Sequence, residues 1–195
     1  MQYIWLILLV LSFDCALAQS NESVVVDYSY LLNQCDSILN VDSGDCYAKF
    51  NRAVALNHLG KYDKALSDIT YAIEVCKDSV SAAFYTRARI FQKSGRYSNA
   101  IDDYIAAVNL NERRSIEWDE FFQIGFCYAQ QQKNRDAIEC YSQAIDIAPS
   151  EGILYYNRGL IFYYMDNKKD GCADLNEALV LGIKQAQQVL EDICN

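Results

Sequence analysis

The chain has 195 residues, 52% hydrophobic and 22% charged, with a single proline and a formal charge of -9. It is too apolar for a disordered chain and long enough for one domain with its own core, and its abundant Ala, Leu and Ile lean towards helix. Its 26 acidic against 17 basic side chains exclude a nucleic-acid binder, because phosphate contacts need clustered Lys and Arg. The basic pair Arg113-Arg114 reads as a solvated loop.

The first element is a targeting segment. "IWLILLVLSF" is an apolar run too short to span a bilayer, and it ends in "ALA", with Ala16 and Ala18 as the small residues before a cleavage site. Residues 1–18 therefore read as a secretory signal peptide cut after Ala18, which leaves Gln19 as the mature start and 19–26 as a flexible lead. "MQY" carries no Lys or Arg, so an uncleaved membrane anchor is the alternative; a lipid anchor on Cys15 is opposed by Asp14. No later stretch is apolar enough to span a membrane. The expected localisation is exported: periplasmic, envelope-associated or secreted. Asn21-Glu22-Ser23 is a glycosylation sequon that matters only in a eukaryotic secretory route.

Residues 27–45 follow as one helix, with "YSYLLNQCDSIL" carrying helical apolar spacing. A repeat then begins. Ala65, Ala100, Ala137 and Gly171 recur at intervals of 35, 37 and 34, and seven residues beyond each stand Ala72, Ala107, Ala144 and Ala178. Between them lie Ile69, Tyr104, Tyr141 and Leu175; twelve residues upstream lie Ala53, Ala88, Gly125 and Gly159. Small residues at helical spacing let two antiparallel helices approach closely, with the large residue filling the gap under the crossing. Gly60 and Gly95 end first helices at positions that want φ > 0, and Tyr62 and Tyr97 can pack back over the turn. One such hairpin cannot bury both faces, so it stacks on neighbours. Units are expected at 46–80, 81–117, 118–151 and 152–182, closed by a helix in 183–195 ("IKQAQQVLEDIC").

This order of small, turn, aromatic, small, large and small residues at a period near 34 resembles the tetratricopeptide repeat, over roughly residues 46–182. Departures are Asn134 and Lys168 at the turn tyrosine, Gln132 and Asp166 at the turn glycine, and about three extra residues in "NERRS". The resemblance implies an all-α, right-handed α-solenoid of four helical hairpins with capping helices at both ends. The stretch from "DGCADLNEALVLG" to the end is similar to the C-terminus of small exported bacterial members, which implies that Cys172 and Cys194 bridge adjacent helices. A second pairing, Cys35 with Cys46, would join the cap to the first unit. Without Cys15 the cysteines number seven, an odd count that leaves at least one thiol unpaired in an oxidising compartment.

The chemistry-bearing residues do not assemble into a catalytic set. His58 is the only histidine, sits beside a turn and has no nucleophile motif near it. Asp68, Asp102, Asp103, Glu139 and Asp174 fall on the outer side of second helices and read as a solvated face. Asp166, Asn167 and Asp170 lack calcium-loop spacing, the cysteine spacings match no zinc motif, and no Gly-rich phosphate loop is present. Neither an enzyme nor a cofactor is expected.

What remains is a surface. In the resembled family, first helices line a concave groove that takes a peptide or a partner's helix. Here it would carry Tyr47, Phe50 and Asn57; Tyr85, Arg89, Gln92 and Lys93; Phe122, Phe126 and Gln130; and Tyr156, Leu160, Tyr163 and Tyr164. Aromatic anchors with a few donors are what interface hot spots are made of, although some of these columns also pack against each other. The basic residues with which some relatives clamp an acidic C-terminal tail are missing: Phe50, Val54, Thr86, Asp119 and Gln123 stand there. The expected function is a non-enzymatic, exported interaction module that serves as scaffold or assembly factor for a protein or peptide partner, its oligomeric state open. The alternative is a redox-sensitive protein acting through an unpaired cysteine and a mixed disulfide.

Overall fold

The computed structural model describes residues 26–76, 80–110 and 118–194. The signal sequence, most of the flexible lead, the "NERRS" link and Arg113-Arg114 lie outside the described residues. Regular structure within them is entirely helical: α1 (Tyr28–Val41), α2 (Cys46–His58), α3 (Tyr62–Val75), α4 (Val80–Lys93), α5 (Tyr97–Leu110), α6 (Trp118–Gln130), α7 (Asn134–Ile147), α8 (Gly152–Tyr164), α9 (Lys168–Val180) and α10 (Gln185–Ile193). No described helix is long and apolar enough to cross a membrane.

Local sequence explains the helix ends. Asp27 caps α1 by accepting hydrogen bonds from the amides of Ser29 and Tyr30, and Asp45 caps α2 at the Ala48 amide. Each first helix of a hairpin ends in the same closure, in which the amide two residues past the helix cap returns to a carbonyl five residues back: Lys61 to Leu56, Arg96 to Phe91, Lys133 to Tyr128 and Asn167 to Phe162. The closure needs a left-handed residue just before that amide. Gly60 and Gly95 supply it at φ 72° and 77°, and Gln132 and Asp166 are forced into it at 60° and 61°. The turn therefore keeps its geometry where its glycine is lost.

Hairpins α2/α3, α4/α5, α6/α7 and α8/α9 stack in chain order, each helix packed on the one before and the one after. The small-residue columns are the crossing points: Ala53, Ala65, Ala88, Ala100 and Ala137 are fully buried. In the last hairpin the two backbones nearly touch, since a methyl added to Gly171 would sit 3.0 Å from the Gly159 carbonyl oxygen. Ile69, Tyr104, Tyr141 and Leu175 fill the gap between the small columns, all 1% exposed or less. At the end of the stack α10 buries Ala186 and lays Val189, Leu190 and Ile193 against Leu175 and Ala178.

Candidate functional site: the first-helix face

Three arginines tie the stack together. Arg52, Arg87 and Arg158 each stand one residue before a small-column residue, and each grips an aspartate sixteen positions later with the Nε and Nη2 donors along one edge of its guanidinium. The pairs are Arg52–Asp68, Arg87–Asp103 and Arg158–Asp174, at 2.6–2.9 Å. The remaining nitrogen reaches back to the preceding second helix, or to α1: Asp36 at 2.8 Å, Thr70 at 3.4 Å and Ser142 at 2.9 Å. One arginine thus links three helices.

This corrects the reading of Asp68, Asp103 and Asp174 as a solvated outer face. They are 4–8% exposed, because a carboxylate met by a bidentate guanidinium can enter the hairpin interior. Asp102 and Glu139 do face solvent. In the third unit Ile124 and Cys140 occupy the arginine and aspartate positions, and both join an apolar cluster. The joint loss of both charges was the sequence signal that would have exposed the pairing.

The first helices of the first three hairpins converge. α2 touches α4, and α4 is hydrogen-bonded to α6 through Tyr85 Oη to Asp119 and Gln92 Nε2 to Gln123 Oε1, the latter at 2.9 Å. This face is therefore the inner side of the stack. The same polar chain continues from Gln123 Nε2 to Asp119 at 3.1 Å and from Tyr104 Oη to Gln92 Oε1 at 2.6 Å. Burial, then the Asp119 charge, pushes the Tyr85 phenol above the ordinary tyrosine range; burial does the same for Tyr104. Both phenols stay protonated and donate.

The predicted groove residues divide three ways. Tyr47 and Tyr164 are exposed, at 43% and 76%, as are Lys93 and Gln130. Phe50, Tyr85, Arg89, Gln92, Phe122, Phe126, Tyr156, Leu160 and Tyr163 are half-buried. Several of these serve the fold as well: Tyr85 packs edge-on against Tyr104, Phe122 tilts onto Tyr141, and Tyr156 and Leu160 lie against the cluster shared with α10. Asn57 is 4% exposed and does not belong to an accessible groove. It sits at the last turn of α2, folded into the interior rather than along the face. His58 stacks on Tyr28 with ring centroids 3.8 Å apart.

The cysteines also require a correction. Cys46 stands at disulfide distance from Cys76, not from Cys35, so the bond closes the first hairpin from the start of α2 to the end of α3 (Cα–Cα 5.9 Å). Cys35 is buried and free on α1. Cys172 and Cys194 stand at disulfide distance between α9 and the end of α10, again with Cα–Cα 5.9 Å. Of the remaining thiols Cys127 is buried and Cys140 half-buried. Burial pushes Cys127 up to about 12, and Cys35 and Cys140 to about 11, the opposite of what a reactive thiolate needs. Among the described residues no group of His, Cys, Asp and Glu could hold a metal ion.

Comparison with known proteins agrees with this architecture. A tetratricopeptide repeat model matches residues 81–114 and a TPR repeat model matches residues 127–166. The photosystem I assembly protein Ycf3 of Acaryochloris marina is 25% identical over 124 residues, covering 63% of this chain and 75% of that one. Among solved structures, MamA from Desulfovibrio magneticus superposes with a TM-score of 0.72 at 18% identity, covering 81% of this chain and 87% of that one. YrrB, described as a TPR protein with an unusual peptide-binding site, superposes at 0.71 and 20% identity, covering 92% and 89%. At those identities the two structures speak to the fold alone. The matched segments take in α4/α5 and the run from the end of α6 through α8, and their turn, small columns and stacking recur in the other described hairpins, so the described stack has tetratricopeptide-repeat architecture.

Proposed function

We propose that this protein is a non-enzymatic interaction module that binds a segment of a protein partner along its first-helix face, as a scaffold or assembly factor. The observation that carries the reading is what packing leaves uncovered there. After four hairpins have closed their cores, the inner face still presents Tyr47, Tyr164 and Lys93 to solvent, with Arg89, Phe122 and Phe126 half-covered beside them. Aromatic surface edged by a few donors is the composition of binding hot spots. The kinship with Ycf3, a photosystem I assembly protein by name, supports the assembly role.

The proposed setting is an oxidising, exported compartment, which the two cysteine pairs at disulfide distance support. N-terminal sequencing of the native protein should read from Gln19; a chain retaining Met1 would overturn export by cleavage. The binding claim is tested by placing a photo-cross-linking amino acid at Tyr47, Lys93 or Tyr164, and at the outer positions Asp102 and Glu139, in native cells. One partner captured from the inner positions and not from the outer ones is the expected result. Capture from the outer positions alone would sink the reading. The mixed-disulfide alternative fits poorly with thiols that burial holds protonated.

A further inference from the structure

We infer that the stretch of the first-helix face around Arg89 and Lys93 receives an internal acidic residue, Asp or Glu, of a partner peptide whose flanking apolar side chains lie on the neighbouring aromatics. This rests on the reading above that the first-helix face binds a protein segment, and adds to it the chemistry of that segment.

Arg89 and Lys93 are four residues apart on α4 and so share one face of the helix. Acidic residues outnumber basic ones 26 to 17 in this chain, yet among the described residues no carboxylate lies within ion-pair distance of either. The contrast with the other partly buried arginines is direct. Arg52, Arg87 and Arg158 each have one guanidinium edge filled by an aspartate, whereas Arg89 has no side-chain acceptor among the described residues. The neighbouring carboxylate Asp119 is already engaged by Tyr85 and Gln123. Burial, then the positive charge of Arg89, draws Lys93 below the ordinary lysine range, while the carboxylates whose charge reaches Tyr85 beside Arg89, Asp119 and Glu120, are not within ion-pair distance of either cation. A carboxylate bidentate on the Arg89 fork, with Lys93 beside it, would supply that charge.

Position in the stack decides the source of the carboxylate. α4 is the second of four first helices. Tyr47 and Phe50 lie on α2 to one side of it; Phe122 and Phe126 on α6, and Tyr163 and Tyr164 on α8, lie to the other. A peptide that uses aromatics on both sides crosses Arg89 and Lys93 in mid-run, so it offers a side-chain carboxylate and not its C-terminus.

The test uses the full chain, a displayed library of random 12-residue peptides, and synthetic copies of the selected peptides capped at both ends. Binders should carry Asp or Glu between apolar residues. Replacing that acid by Gln or Asn, or making Arg89→Ala, should weaken binding about tenfold, and raised salt should weaken it further. Arg89→Glu with Lys93→Glu should abolish binding, and lysine in place of the peptide's acid should restore part of it. Helical circular dichroism should be unchanged in the variants, and the Gln/Asn-substituted peptide and the salt series test the claim on unmodified protein. Binders without acidic residues, or binding indifferent to both charge changes, would overturn this inference and leave the groove reading standing. Absence of any binder would remove both. Preference for a free C-terminus over the capped peptide would overturn the internal-residue claim. So would self-association of the chain that is lost on charge reversal, which would make a second copy the occupant.

Discussion

Arg158 shows how much a single side chain can hold in this stack. It bonds Asp174 in its own hairpin and Ser142 in the one before, and its guanidinium lies over the rings of Tyr155 and Phe162. Arg158→Ala would leave Asp174 largely buried and unmatched, and should lower stability by about 3 kcal/mol in urea denaturation. The third unit suggests the compensating change, because Ile124 and Cys140 fill the same two positions without charge. Arg87→Ile combined with Asp103→Cys should therefore recover most of what Arg87→Ile alone loses; a double variant no more stable than the single would show that the pair does more than satisfy itself. At the turn, Gln132 holds a left-handed conformation that strains a side-chain-bearing residue. Gln132→Gly should raise stability by about 0.5–1 kcal/mol, read as a higher denaturation midpoint.

These residues also mark where the sequence could and could not be read. The columns of small residues announced the hairpin because backbone approach tolerates nothing larger, and they repeat at a fixed interval. Gln132 and Asp166 departed from the turn glycine without changing the turn, because the hydrogen bonds that close it come from the backbone. The ion pairs are not legible in the sequence because helical periodicity alone puts aspartate on a wet face; its burial depends on an arginine on another helix. On the candidate face, the family resemblance picked out Tyr47, Lys93, Gln130 and Tyr164, which are exposed, and could not see that Asn57 turns inward or that Tyr85 and Gln92 are bonded between repeats.

At the scale of the element, α10 is the piece held by the least local support. It has nine residues, fewer than an isolated helix needs in water, and docks through one apolar face. The Cys172–Cys194 pairing fastens it to α9. Cys172→Ala with Cys194→Ala should cost about 3 kcal/mol and raise amide exchange in α10 before the hairpins; uniform loss across the chain would mean that α10 and the stack unfold together. The free thiols make a separate prediction about pH. Folding raises Cys127 to about 12 and Cys35 and Cys140 to about 11, from an ordinary value of 9.0. That contribution is complete below pH 9 and fades as pH rises towards 11–12. The urea midpoint should thus fall between pH 9 and 11, less steeply in Cys127→Ala, and a parallel fall in both proteins would contradict the assignment.

As a whole, the molecule is a row of hairpins in which each helix answers to its immediate neighbours. Such a row makes its core between units and leaves one continuous inner face for a partner. The decisive measurement is amide hydrogen exchange of the full chain with and without the partner captured from native cells. Protection concentrated in α2, α4, α6 and α8 is predicted, strongest around Lys93 and Phe126. Protection confined to α3, α5, α7 and α9 would place the partner on the outer side and contradict the account.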